Sequence, residues 1–499
     1  MSAEREVKLP VPLGFRVPSF DDGAGSEHGV VAVRPGVTER LQTVYLDTED
    51  LRIARWGCSL RHRAGEGWTV KLPAVESGSA IVRDERAFPG EGSRPPHEAV
   101  DLLRAYVRRG QLAPVAKLHT VRTRVELQDP TGESLAELVD DEVSVLEGRR
   151  VAARFRELEV EAKDGTAQER LEAIVAELRR AGAGEPTRTT KLMRALGRIA
   201  VGPPEVVVRD PSPGASAADV ITAAIAASVV RLLRNDAGVL IGNDPEAVHQ
   251  ARVATRRLRS DLRTYRSLMD PAWRDALSDE LRWLGALLGA VRDAEVLEAG
   301  LRSSVAKLPD PDAGAASRLL RRLRDRRERA RADLLAAREG ERYVDLLERL
   351  VEAAASPPLV EAATAPAADV VSDLMEPLWG HLNEAIEGLG PDSTDDALHP
   401  VRIRTKRARY AAESMAPAFG KRARSFAAHA AALQDVLGEH QDAVVAEAWL
   451  RDAASGGGPR TAFVAGELAA RELRAAARAR RRWAKPWKSL SGKRDRFWR

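Results

Sequence analysis

A chain of 499 residues is too long for a single small module and, at roughly 100–200 residues per domain, implies two or three domains with sizeable cores. Its 78 Lys+Arg against 74 Asp+Glu leave a net charge of only +4 while 30% of residues are charged, which excludes a simple polycation and requires opposite charges to be sorted onto sites or faces. The lone cysteine, Cys58, excludes an internal disulfide and a multi-cysteine zinc site, and fits a reducing, cytoplasmic compartment.

The start, MSAEREVKLPVPLG, carries charges before any apolar run and has no hydrophobic core of signal-peptide length, so export by that route is not expected. Short β-branched and aromatic runs then follow, broken by Gly and Pro: Thr43–Asp47, Ser59–Arg63, Trp68–Leu72, Lys117–Leu127, Ser134–Val145 and Arg154–Ala162. These predict antiparallel strands, with helices near Pro96–Arg109 and Thr166–Ala181. A Pro-rich joint (Val201-Gly-Pro-Pro-Glu, Asp210-Pro-Ser-Pro-Gly) ends this texture, and Ala, Leu, Arg and Glu at helical spacing continue to the end. The reading is therefore residues 1–200 as one domain, 201–214 as linker and 215–499 as a helical domain. Ala215–Val230, the most apolar stretch, contains Asp219 and predicts a buried helix rather than a membrane span.

The helical part repeats itself. His249-Gln-Ala-Arg-Val-Ala-Thr-Arg-Arg-Leu-Arg matches His399-Pro-Val-Arg-Ile-Arg-Thr-Lys-Arg-Ala-Arg, and Leu288-Gly-Ala-Val-Arg-Asp matches Leu437-Gly-Glu-His-Gln-Asp. Two related bundles are expected, about 215–352 and 369–499, joined by a loose Ala/Pro-rich connector over Ala353–Ala368.

In the first domain, Glu4, Glu6 and Lys8 stand at i, i+2 and i+4, so on a strand they share one face. Arg61 and Arg63, Arg122 and Arg124, Glu137 and Asp141, and Glu157, Glu159 and Glu161 repeat the pattern. A solvated face explains any one such set; five in one domain point to a barrel whose lumen mixes acid and base. Such a lumen suits a polyanion with divalent cations, because carboxylates take hard Mg²⁺ or Mn²⁺ and Arg grips phosphate with a bidentate fork.

On these residues, with Lys71, Arg83-Asp-Glu85 and Lys191, the domain resembles the CYTH domain of the triphosphate tunnel metalloenzymes, whose Glu-x-Glu-x-Lys signature stands here as Glu4, Glu6 and Lys8. The resemblance implies an eight-stranded antiparallel β tunnel that binds a triphosphate chain and hydrolyses it with Mg²⁺ or Mn²⁺. Lys8, Arg61, Arg63, Lys71, Arg122, Arg124 and Lys191 would hold phosphates, with Lys117 as an alternative cation to Arg122. Glu4, Glu6, Asp141, Glu157 and Glu159 would hold metal, and Glu4, Glu6, Lys8 and Glu159 would carry catalysis.

Further along, His249, Arg252, Arg256, Arg259 and Arg263 fall within an arc of roughly 80° on a helix, opposite Leu258, Leu262 and Tyr265. His399, Arg402, Lys406 and Arg409 repeat the arc. One-signed stripes repel themselves unless an anion arrives; acids on neighbouring helices are the simpler alternative. The two repeats resemble the CHAD domain, the conserved-histidine α-helical domain. That resemblance implies two four-helix bundles and inorganic polyphosphate bound by His249, Arg252, Arg256, Arg259, His399, Arg402, Lys406 and Arg409.

The sum is a multidomain α+β protein: a metal-dependent inorganic triphosphatase, acting on triphosphate or polyphosphate ends, with a polyphosphate-binding helical domain. Its expected site is the cytoplasm, with association with polyphosphate granules left open. Rival readings are a non-catalytic polyphosphate-binding protein, and an adenylate cyclase or thiamine triphosphatase. No Walker-type Gly-x-x-x-x-Gly-Lys-Ser/Thr loop occurs. The tail Arg471–Arg499 has 12 Lys+Arg against 2 Asp+Glu with Trp483, Trp487, Phe497 and Trp498 interleaved, so it suits nucleic acid or a packed terminal helix, the latter preferred.

Overall fold

The computed structural model describes residues 4–18, 20, 32–34, 38–73, 75–77, 80–129, 131–163, 165–200, 202–309, 312–390, 393–492 and 496–499. The chain divides into two compact units, Met1–Glu205 and Val206–Arg499.

Strands of the first unit are β1 (Glu4–Val11), β2 (Ala32–Arg34), β3 (Thr38–Asp47), β4 (Ser59–Arg63), β5 (Gly67–Lys71), β6 (Val75–Ser77), β7 (Ala80–Arg83), β8 (Glu85–Phe88), β9 (Ala113–Gln128), β10 (Ser134–Glu147) and β11 (Arg150–Ala162). All pair antiparallel, in the order β6-β7-β1-β11-β10-β9-β3-β4-β5-β8, with β2 also on β9. Only Asp84 separates β7 from β8, and β7 pairs with β1 while β8 pairs with β5. The run Ala80–Phe88 therefore returns the sheet to its first strand, making the eighth wall of the antiparallel tunnel that the sequence implies.

Strand alternation sorts the side chains. Val7, Leu9, Val11, Leu158 and Val160 point outward into a cluster with Leu171, Ile174 and Leu178 of a covering helix, Gln168–Arg180. Each such side chain contributes ~1.5–3 kcal/mol on burial, which forces Glu6, Lys8, Glu157 and Glu159 to the opposite, inner face. A short helix, Lys191–Leu196, follows; its Thr190 cap accepts from the Met193 N–H at 3.2 Å, and Leu192 packs against Tyr45 and Leu118.

In the second unit the helices are α1 (Ala217–Ile241), α2 (Pro245–Thr264), α3 (Pro271–Val305), α4 (Ala313–Glu339), α5 (Glu341–Ala355), α6 (Ala367–Glu387), α7 (Asp395–Ser455), α8 (Pro459–Arg480) and α9 (Ala484–Leu490). Sequence sets their starts: Ser216 and Asp219 form a capping box, while Asp244 and Asp270 cap helices that begin on Pro245 and Pro271. Gly420, at φ 69°, breaks α7 into two helical halves. Helices α1 to α4 pack in succession with α5 returning to α1, while α6, α7 and α8 pack in the same sequential manner and α9 lies on α7. Across the two sets, the Tyr265 hydroxyl lies 2.8 Å from Ser414 Oγ.

One expectation needs correction. The connector after α5 is not loose: Val360 N–H donates to Leu268 O, Asp270 N–H to Pro358 O and Ala367 N–H to Ala215 O, which tie it to the start of α1 and the α2–α3 turn. The tail aromatics pack on the helices of their own unit, the reading preferred for the tail. Trp487 stacks on Trp379 with centroids 5.4 Å apart, Trp498 meets Phe426 edge-on at 5.1 Å, and Trp498 Nε1 donates to Glu376 at 2.7 Å. Among the described residues, no helix is long and apolar enough to cross a membrane.

Candidate functional site

Strand register sets the geometry of the tunnel lumen. Lys8 lies opposite Glu159 and Glu6 opposite Glu161 across β1 and β11; Asp141 lies opposite Glu157 on one side and Arg122 on the other. Tyr45 faces Arg61 across β3 and β4, and Lys71 faces Glu85 across β5 and β8. With period 2 along each strand, these pairings bring charges from distant sequence positions onto one inner surface.

That surface encloses a cavity of about 340 Å³. All seven cations assigned to phosphates from the sequence line it: Lys8, Arg61, Arg63, Lys71, Arg122, Arg124 and Lys191. Its lining carboxylates are Glu66, Glu85, Glu159 and Glu161, so cations outnumber them. Lys117 has the opposite strand parity and is exposed, which leaves Arg122 as the inward cation.

The carboxylates fall into two groups. Glu6, Glu159 and Glu161 offer oxygens within 4.8 Å of one another, a hard three-carboxylate set suited to Mg²⁺ or Mn²⁺. Glu161, outside the metal set expected from the sequence, belongs to this group. Asp141 and Glu157, by contrast, are fully buried beneath the cavity and already engaged. Arg122 grips Asp141 through two bonds of 2.9 and 2.7 Å, and Arg194 reaches Glu157 at 3.0 Å. Lys191 lies 2.9 Å from each of Asp141, Glu157 and Glu159. Glu4 is placed in β1 by its backbone, but its side chain lies outside the described residues.

These contacts fix the charge states. Burial would raise the Glu159 carboxyl, but Lys191 and Lys8 outweigh it and hold it well below the usual carboxylate range. Burial would lower the Lys191 ammonium, but Glu159, Glu157 and Asp141 push it well above the usual lysine value. Lys8, beside Glu6 at 3.1 Å and in contact with Glu159, is raised for the same reason, its burial penalty overcome chiefly by Glu159. On the far wall Glu85 pairs with Lys71 at 2.5 Å and Arg61 at 3.0 Å, and these cations lower its carboxyl against the penalty of burial. Glu159, Glu85, Lys8 and Lys191 are thus each held in the charged form by their neighbours, so these cations are oriented before any anion arrives.

In the helical unit, a cleft of about 800 Å³ brings together His249 and Arg252 of α2 with Arg402 and Lys406 of α7. Arg292 on α3 and Arg478 and Arg482 near the end of α8 also line it; the sequence stripes did not include them because they join only through tertiary packing. His399 sits at the rim, its Nδ1 2.9 Å from Gln441 Oε1. Arg256 lies over the Tyr410 ring at 5.3 Å, beside the cleft. Arg259 and Arg409 do not line it: Arg259 neighbours Arg263 and Arg282, and Arg409 pairs with Glu413 at 2.7 Å. Elsewhere in this unit His440 Nε2 meets Asp395 at 2.7 Å, a tether between the two halves of α7.

Comparison with known proteins gives two family matches: the CYTH domain over residues 20–192 and the CHAD domain over residues 223–451. Two uncharacterized proteins of Mycobacterium tuberculosis, from strains CDC 1551 / Oshkosh and ATCC 25618 / H37Rv, are each 32% identical over 467 residues, covering 89% of this chain and 87% of the relative. Among solved structures, PptA from Streptomyces chartreusis is 24% identical, covering 55% of this chain and 99% of that one, with TM-score 0.47. The CHAD domain from the plant Ricinus communis is 27% identical, covering 57% and 95%, with TM-score 0.48.

Proposed function

Because the chain belongs to the proteins that join a CYTH domain to a CHAD domain, we propose that its tunnel unit hydrolyses inorganic triphosphate or polyphosphate ends, and that its helical unit binds polyphosphate. One observation carries the first half: seven cations line a single cavity together with Glu159 and Glu161, and these two form a three-carboxylate set with Glu6. Glu6, Glu159 and Glu161 would hold Mg²⁺ or Mn²⁺, which when bound supplies charge neutralisation on phosphate oxygens and acidifies a water.

The chain's own residues do the remaining work. Arg61, Arg63 and Lys71 bind one stretch of a phosphate chain, and Lys8, Arg122, Arg124 and Lys191 face it from the opposite walls. Because phosphoryl transfer needs little covalent assistance, orientation and fixed positive charge supply most of the acceleration. Asp141 and Glu157 act as positioning residues: by engaging Arg122, Lys191 and Arg194 they hold the cations in place.

The experiment is phosphate release from inorganic triphosphate, long-chain polyphosphate, ATP and thiamine triphosphate with Mg²⁺ or Mn²⁺. Release from triphosphate that disappears in Glu159→Gln supports the hydrolase; binding without turnover favours the non-catalytic reading. For the helical unit, Arg252→Ala with Arg402→Ala should weaken polyphosphate binding and lower its salt dependence, as loss of phosphate contacts does for nucleic acids.

A further inference from the structure

Lys406 stands in a crowd of like charge. From its own helix α7 it is approached by Arg402, and from α2 by Arg252 and Arg256, with His249 in the same wall. Arginine guanidiniums do not shed protons in this pH range, so Lys406 and His249 are the cations of this group that can relieve the repulsion by deprotonating.

Acidic neighbours do not cancel that repulsion. On α3, Asp293 is engaged by Arg252 at 3.0 Å, with Arg292 beside it in the wall. On α7, Glu439 is engaged by Arg482 at 2.6 Å. Helix α8 contributes Glu472 and Arg478. Asp442 is the remaining acid near Lys406; its carboxyl is itself raised by burial, more than Arg402 and Lys406 lower it. Among the described residues no carboxylate forms an ion pair with Lys406.

We propose that the cleft takes up a proton as it binds a polyphosphate chain, with Lys406 as the group that accepts it. The inference rests on the polyphosphate-binding reading above and adds its regulation by pH. A polyanion laid along Arg252, Arg402 and Lys406 reverses the local field, so the ammonium form, disfavoured beforehand, becomes the favoured one. The charge states agree with this geometry. Burial, then Arg402, Arg256 and Arg252, push Lys406 down to about 7, and burial with Arg292 lowers His249 below its ordinary value.

The linkage has a definite sign. Above pH 7 Lys406 is deprotonated in the protein alone and protonated in the complex, so affinity falls as pH rises. Between pH 7 and pH 9 the loss is on the order of 10- to 50-fold, and at pH 8 uptake is about 0.9 proton per site.

The test is isothermal titration of the full chain with long-chain polyphosphate in EDTA at pH 8, in two buffers of different ionisation enthalpy. It is run on the wild type, on Lys406→Arg, which keeps the charge at every pH, and on Lys406→Met, which removes it. The tunnel lysines Lys8 and Lys191 are charged throughout, so they take up no proton in any of the three. The proposal expects uptake near one proton in the wild type and near zero in both variants, with Lys406→Arg holding its affinity from pH 7 to pH 9 and Lys406→Met binding weakly at both. Binding without proton uptake in the wild type, or equal uptake in Lys406→Arg, overturns the coupling alone. No binding even at pH 6 overturns the polyphosphate reading and the coupling with it.

Discussion

Replacing Lys191 by Met removes the ammonium that lies 2.9 Å from each of three carboxylates, Asp141, Glu157 and Glu159, all 6% exposed or less. Arg122 still contacts Asp141 and Glu159, Arg194 Glu157, and Lys8 Glu159, so the variant retains the strand pairing but leaves more buried negative charge than these cations balance. Removing one partner of a buried ion pair costs ~3–5 kcal/mol. For a unit of this size, that corresponds to a melting shift of about 6–20 °C. The pH dependence is equally specific. Glu159 is depressed in the folded protein, so its stabilising contribution is present above the unfolded carboxylate value and is lost as pH falls through the folded one. Lys191 is raised, so its contribution is present below the ordinary lysine value and is lost only as pH climbs through the folded one. The penalty of Lys191→Met is therefore broad and flat from about pH 5 to pH 10 and shrinks toward acid, where a carboxyl can protonate. Calorimetry of the full chain at pH 4 and pH 7 reads it. A shift below 2 °C at pH 7, or a larger penalty at pH 4 than at pH 7, would refute the reasoning.

Asp261 is 3% exposed and burial pushes its carboxyl up to about 8, so the folded protein binds a proton that the unfolded chain releases between about pH 4 and pH 8. Asp261→Asn should therefore stabilise at pH 7, by up to about 4 kcal/mol, with the gain vanishing at pH 4; urea melts at the two values check it. Gly420→Ala should cost ~1–3 kcal/mol through its backbone conformation (φ 69°, ψ −140°) alone, since a Cβ there meets nothing within 4 Å; a loss above 4 kcal/mol in chemical denaturation would mean that packing is involved. Trp498→Ala empties a site that is 2% exposed and should cost ~3–5 kcal/mol, whereas an external tail would show no change on melting. Glu161→Gln should lose metal-dependent phosphate release as fully as Glu159→Gln, with the exposed Glu142→Gln unchanged.

Much of this architecture is written in short-range pattern. Alternation alone puts Val7, Leu9 and Val11 on one face of β1 and Glu6 and Lys8 on the other, and the same rule assigns Glu157, Glu159 and Glu161 together. It cannot separate those three glutamates, because their roles depend on partners from elsewhere: Lys191 and Arg194 on a later helix take Glu157, while Glu6 on β1 joins Glu159 and Glu161. Strands β7 and β8, four residues each, are too short to show a period, yet they close the tunnel. In the helical unit the 3.6-residue arc groups His249 with Arg252 and Arg402 with Lys406, but it also includes Arg259 and Arg409, which do not line the cleft; Arg409 pairs instead with Glu413 on its own helix. Arg478 and Arg482 belong to a stripe of their own, Arg471, Arg474, Arg478 and Arg482 at helical spacing, but nothing in that spacing says which other stripe it faces. The break in α7 falls at Gly420, three residues after Pro417, inside a stretch otherwise rich in helix formers.

The central claim is that Glu6, Glu159 and Glu161 hold a divalent ion beside a phosphate chain gripped by the tunnel cations. Crystals soaked with Mn²⁺ and a non-hydrolysable triphosphate analogue test it through the anomalous difference map. The account predicts a manganese peak at coordinating distance from these three carboxylates, with phosphate density reaching Arg61, Arg122 and Lys191. Manganese bound elsewhere, or a tunnel that stays free of phosphate at saturating ligand, would contradict it.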